Sequence, residues 1–272
     1  MDSRNPVLII FLVLGLLVAA SGCTTNPAQQ TLTTTAGTNS VSPEKTAVAE
    51  IPASGHTLPA PASGIAAELA AVKSDSVVWK EAYRMFRNIK STEYVHPPYT
   101  DDDAAGIYKF DCLGFVDHVL MNATPAAYRE IGKGVNPSIE SYAATFGNLN
   151  TKSPIALLGT RVDHPHDLQP GDICLWLKPS TFDTGHMWII AGEPKVNPKR
   201  TDEVLVRIFD STGTVHTADS RAGSVDKTGL GSGILGFMVD GEGSPTGLYW
   251  EGGASTGAGE KDTTIVCGRL NR

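Results

Sequence analysis

From Leu168 onward the chain runs in short stretches of β-type residues separated by turn formers. "DICLWL", "GHMWIIAG", "EVLVRIFD", "GILGFMVD", "TGLYWE" and "TTIVCGRL" are rich in branched and aromatic side chains and bounded by Gly, Pro, Asp and Ser. Runs of this length and texture predict strands of an antiparallel sheet. "DGEGSP", between two of them, predicts a hairpin turn in which Gly241 and Gly243 take positive φ. Ahead of Leu168 the spacing is helical. "SVVWKEAYRMFRNI" puts Val78, Ala82, Met85, Phe86 and Ile89 on one face, with Ser76 placed to cap the first turn. A second helix opens at Cys112 with Phe115, Val116, Val119 and Leu120 as its apolar stripe. "PAAYREI" and "SIESYAATFGNL" follow, the latter with Ser138 as cap. Helices first and a sheet afterwards predict one α+β domain, with N-terminal helices packed on an antiparallel sheet.

That domain is expected over residues 63–272. Before it, Arg4 precedes an apolar run from Val7 to Ala20 that ends in "ASGC". The run is shorter than the roughly 20 residues that span a bilayer, and its end resembles the lipobox of a lipoprotein signal peptide. Residues 1–22 are therefore expected to be a signal peptide and Cys23 the lipidated residue; an uncleaved anchor is the other reading. Residues 23–62 are rich in Thr, Pro, Ala and Ser without apolar periodicity, a composition that cannot offset chain entropy. A coil of about forty residues reaches roughly 35 Å, enough to lift a domain off a lipid surface. The expected location is the extracytoplasmic face of the cell membrane.

The net charge is −7 and the 22 Lys and Arg residues form no run, so nothing is arranged to neutralise phosphates and no nucleic-acid partner is expected. With Cys23 assigned to lipid, Cys112, Cys174 and Cys267 remain, an odd number. Cys174 and Cys267 lie in strand-like runs, where they either pair or are buried as free thiols; free thiols are the preferred expectation, since a domain of this size does not need a staple. His164 and His166 in "DHPHDLQPGD" stand two apart in a Pro-interrupted loop, which is not zinc-motif spacing. Asp101, Asp102 and Asp103 lack the spaced pattern and terminal Glu of a calcium loop and read as a solvated acidic loop. No metal and no cofactor are expected.

"KFDCLGFVDHVL" carries the chemistry. A thiol attacks as its thiolate, and a helix N-terminus favours that form while offering backbone N–H groups to a developing oxyanion. The base has to come from elsewhere in the chain. His186 in "TGHMWIIAG" is the first choice, expected at a sheet edge facing the helix. Asp210 in "FDSTG", on the next strand, would fix its tautomer. Asp210 has a rival role as cap of its own turn, and His216, six residues on, is held in reserve for the third position.

Through "FDCLGFVDHVL", "LQPGDICLWL" and "TGHMWIIAG", over roughly residues 76–212, the chain resembles the NlpC-type peptidases of the papain-like cysteine peptidase superfamily. The resemblance implies a papain-like domain that cleaves amide bonds of cell-envelope peptides without a metal. It implies Cys112 as nucleophile, His186 as base and a polar third residue, here Asp210. Tyr94 matches a tyrosine near the family's oxyanion and substrate site, where Asp111, just before the nucleophile, is also placed. Leu113 stands where the family usually has Ser, and no wall-binding repeat accompanies the domain. Two other functions stay open. One is a non-catalytic module binding envelope peptide or glycan; the other is an acyltransferase that resolves the thioester with an amine or alcohol.

Overall fold

The computed structural model describes residues 63–152, 154–178, 185–223, 227–254, 259–261 and 263–271. The expected signal peptide, the tether and Cys23 lie outside these residues. The fold is α+β. Its helices are α1 (Ser63–Ala71), α2 (Val77–Asn88), α3 (Cys112–Ala123), α4 (Pro125–Gly132) and α5 (Ile139–Gly147). Among the described residues no helix is long and apolar enough to cross a membrane.

The caps anticipated from sequence are in place. Ser76 accepts from the Trp79 N–H at 3.3 Å and starts α2, whose Val78, Ala82, Met85 and Phe86 are buried. Ser138 accepts from the Ser141 N–H and starts α5. Asp111 caps α3, accepting from the Gly114 N–H at 2.8 Å, and Phe115, Val116, Val119 and Leu120 are all fully buried behind it. The one helix that sequence periodicity did not identify is α1.

A small sheet precedes α3, made of β1 (Ser91–Tyr94), β2 (Thr100–Asp102) and β3 (Ile107–Phe110). In it β3 lies between β1, to which it runs parallel, and β2, to which it is antiparallel. The sequence reading of Asp101–Asp103 as a solvated loop is corrected in part, since Asp101 and Asp102 pair with β3. Strands of three or four residues, of which only Tyr108 and Phe110 are buried, are too short to give a periodic signal. Asp101 and Asp102 belong to β2; Asp103 follows it and accepts from Arg84 and Tyr108.

The main sheet contains β4 (Gly159–Val162), β5 (Ile173–Leu177), β6 (Gly185–Ile190), β7 (Lys195–Asn197), β8 (Arg200–Thr212), β9 (Gly229–Val239), β10 (Pro245–Tyr249), β11 (Gly259–Lys261) and β12 (Thr264–Leu270). Its order is β11-β10-β9-β8-β6-β5-β12-β4, all antiparallel, with β7 paired to β8. Both faces are buried, which is why "ICLWL" and "MWII" read as continuous apolar runs. Ile173, Leu175, Met187, Ile189 and Phe209 meet the helices. Their neighbours Cys174, Trp176, Trp188, Ile190 and Ile208 form a second cluster with Leu235, Phe237 and Leu248. On that face the sheet curls over itself until β10 approaches β12. In the β9–β10 turn Gly243 takes positive φ, whereas Gly241 does not.

Cys174 and Cys267 are not free thiols. They are directly opposed across β5 and β12, with Cα atoms 4.1 Å apart, and form a disulfide. The expectation failed because the sequence does not reveal that the final strand inserts beside β5. The bridge closes a separation of 93 residues, so replacing both cysteines by alanine should lower unfolding free energy by about 4–5 kcal/mol. An unchanged denaturant midpoint would contradict this.

Asp117 joins three helices. From α3 it accepts the Tyr142 hydroxyl of α5 at 2.6 Å, and Tyr128 of α4 is near enough to act on its charge. Burial pushes its carboxyl up to about 7; the tyrosines oppose the shift and the Asp111 charge reinforces it. A folded state that holds this proton longer than the unfolded chain loses stability as pH rises from about 4 to about 7, and the loss is complete above that window. Asp117→Asn should therefore melt higher than the wild type near ~pH 8 and converge with it near ~pH 4. A gap independent of pH would show that the carboxyl does not titrate in this window.

Candidate active site

Helix α3 is tied to both sheets just before Cys112. Tyr94, the last residue of β1, pairs in register with Phe110, and the Phe110 carbonyl accepts from the Ser211 hydroxyl of β8 at 2.7 Å. Thr92 of β1 accepts from the Leu230 N–H of β9 at 2.6 Å. These bonds hold the start of α3 against the strands that carry the remaining polar residues.

Cys112, His186 and Asp210 come together. Cys112 is the first residue of α3, His186 the second of β6, and Asp210 lies near the end of β8. His186 Nε2 is 2.8 Å from Asp210 Oδ2. Cys112 lies near enough to the same imidazole for its charge to act on it. All three are buried: Cys112 and His186 are each 7% exposed and Asp210 is 0% exposed.

One expectation about His186 needs correcting. It lies on an internal strand, between β5 and β8, not at a sheet edge. Strand alternation places it with Trp188, on the face of the second cluster rather than the helix-packed one. Trp188 stacks on it at 6.0 Å and Trp250 meets it edge-on at 5.0 Å. Two indoles thus restrict the orientation of the ring.

Burial disfavours the imidazolium of His186, but the Cys112 thiolate charge and the Asp210 hydrogen bond outweigh it and lift the pKa to about 10. Burial works against the Asp210 carboxylate in the same way; here the charges of Arg221 and His216 and the bonds from both histidines hold it well below the usual carboxylate range. The site thus favours a protonated His186 beside an ionised Asp210.

Asp210 does not cap its own turn. Its Oδ1 accepts from Arg221 Nη2 at 2.9 Å, and its Oδ2 also lies 2.9 Å from His216 Nε2. Arg221 pairs in addition with Asp219, through Nε at 2.8 Å and Nη2 at 2.7 Å, and donates to the Gly229 carbonyl. Asp219 in turn accepts the backbone N–H of His216 and of Arg221. Sequence reasoning missed Asp219, Arg221 and Trp250. The first two leave a trace in "HTADSR", where an acid and a base sit two apart in a turn; Trp250 leaves none.

Asp111 serves as a helix cap. Its Oδ1 accepts from the Tyr99 hydroxyl and the Gly114 N–H, both at 2.8 Å, and its Oδ2 lies 3.1 Å from His96 Nδ1. Tyr94 is half-buried beside it, edge-on to His96. His164 and His166 flank Pro165 in a short 3-10 turn away from these residues, and His166 is exposed.

Among the described residues, His186, Asp210 and His216 form the one cluster whose ligand-type atoms converge, all within 4.8 Å. A divalent cation there would stand beside the buried Arg221 guanidinium and would have to displace two short hydrogen bonds to Asp210. The donor set fits a hydrogen-bonded chain better than a metal centre. No family model, no curated protein and no solved structure matches this chain.

Proposed function

We propose that the protein is a cysteine-dependent hydrolase of amide or peptide bonds, of the NlpC type on a papain-like fold, tethered through a lipid on Cys23 and acting on cell-envelope peptides. The observation that carries this reading is one imidazole, His186, bonded to Asp210 Oδ2 at 2.8 Å and acted on electrostatically by Cys112 at the first turn of α3. The order of the parts along the chain, helix-borne sulfur, "PGD" strand and "GH" strand, supports the family assignment.

The Cys112 thiolate attacks the substrate carbonyl carbon, and the π electrons move onto the oxygen. The Gly114 N–H is occupied by the Asp111 cap, so the N–H groups of Cys112 and Leu113 are the first-turn donors for that oxyanion. His186 then gives its proton to the leaving amine as the C–N bond breaks, and a thioester remains on Cys112. Water, deprotonated by His186, attacks the thioester; the acid leaves and the thiolate and imidazolium are restored. Asp210 stays ionised throughout and keeps the ring in register.

The test is the rate of iodoacetamide alkylation of Cys112 as a function of pH. A sulfur paired with His186 should react well below about pH 8.5, the range of an unperturbed thiol. A rate that climbs only through that range would remove the basis for the hydrolase. Adding an amine nucleophile to turnover mixtures separates hydrolysis from acyl transfer by the product formed.

A further inference from the structure

His216 has no role in the proton transfers described above, yet it is among the most constrained side chains in the molecule. Its Nε2 lies 2.9 Å from Asp210 Oδ2 and its Nδ1 lies 2.8 Å from the Trp250 carbonyl oxygen. A carboxylate and a carbonyl only accept hydrogen bonds, so satisfying both requires an N–H on each ring nitrogen. The Trp250 indole covers the ring at 4.2 Å, and the backbone N–H of the same histidine is fixed by Asp219. The side chain is fully buried.

The geometry points to His216 as a positioning residue, an imidazole donating from both nitrogens that pins the Asp210 carboxylate for His186. The inference rests on the proposed hydrolase for its consequence, but not for its structural content. Asp210 Oδ2 serves two imidazoles, and without His216 only His186 would hold that oxygen against rotation about the Cβ–Cγ bond. Arg221 restrains the other oxygen, and His216 restrains this one. The charged groups facing Asp210 are thus His186, His216 and Arg221, with Asp219 behind Arg221 and Cys112 beyond His186. With His216 donating from both nitrogens, two cations and two carboxylates balance behind the catalytic pair. The loop that carries Trp250 closes this arrangement, which assigns the stretch after β9 a part in the site.

The experiment compares wild type, His216→Ala and His216→Gln by kinetics and by nitrogen NMR of labelled histidine rings. Glutamine keeps an N–H donor near the position of Nε2 without the imidazole. His216→Ala should lower kcat about tenfold with KM within about threefold, and His216→Gln should regain most of the loss. In the wild type both His216 ring nitrogens should carry protons, and the His186 Nε2–H signal should be protected. In His216→Ala that signal should broaden or vanish while the melting curve stays cooperative. A wild-type His216 with one bare ring nitrogen would overturn the inference, as would stoichiometric zinc binding that the alanine variant loses. So would a folded alanine variant with unchanged kcat and an unchanged His186 signal. If the wild type turns nothing over, the hydrolase reading fails, and the NMR measurements still decide the role of His216.

Discussion

Replacing His186 by alanine is expected to reduce turnover by about a thousandfold or more, because the thiol then loses the group that takes its proton and the leaving amine loses its acid. Cys112→Ser should be at least as damaging, since a hydroxyl in that position has no comparable way to ionise. Neither change should unfold the protein. His186→Ala removes one of three partners of Asp210, and the carboxylate keeps His216 and Arg221. The expected pattern is therefore a kinetic collapse with little loss of stability, measured as turnover of a fluorogenic amide beside thermal melting of the same samples. Either variant retaining wild-type turnover would rule out the assignment of roles.

Arg221→Met is expected to show the opposite pattern, with stability lost first. Its guanidinium is 3% exposed and lies between Asp210 and Asp219, which are themselves 0% and 5% exposed. Without it, two buried carboxylates lose their cation, a change that costs about 4 kcal/mol. For a domain of this size that corresponds to a fall of about 10 °C in Tm. Lysine should not restore it, because Arg221 uses Nε, Nη1 and Nη2 on acceptors from Asp219, Gly229 and Asp210, a fork that one ammonium cannot reproduce. The double variant Arg221→Met with Asp219→Leu should recover part of the stability by removing one orphaned charge. If the single variant melts with the wild type, the buried pair is not what holds the end of β8.

The contrast between these variants shows which parts of the site the sequence reveals. Cys112 and His186 are legible because each has a local mark: a cysteine directly after a capping Asp at the start of an apolar stripe, and a histidine opening a buried strand. Ser76 and Ser138 were legible as caps for the same reason, since a cap and its helix are neighbours in the chain. Arg221 and Trp250 act through partners on other strands, and nothing local to "HTADSR" or "GLYWE" says that the sheet curls to bring them together. The disulfide and the strands β1 to β3 went unseen for a related reason. Their existence depends on pairing between segments whose own residues carry little pattern.

The position of β12 has a consequence for when the site can exist. Of the described strands it is the last in the chain, yet it lies inside the sheet, hydrogen-bonded to β5 on one side and β4 on the other. Until residues 264–270 arrive, β5 and β4 have no common partner, and β6, which carries His186, borders an unfinished sheet. Contacts this distant in sequence form slowly. If the proposed function holds, the Cys112–His186–Asp210 arrangement would be complete only once residues 264–270 have joined the sheet.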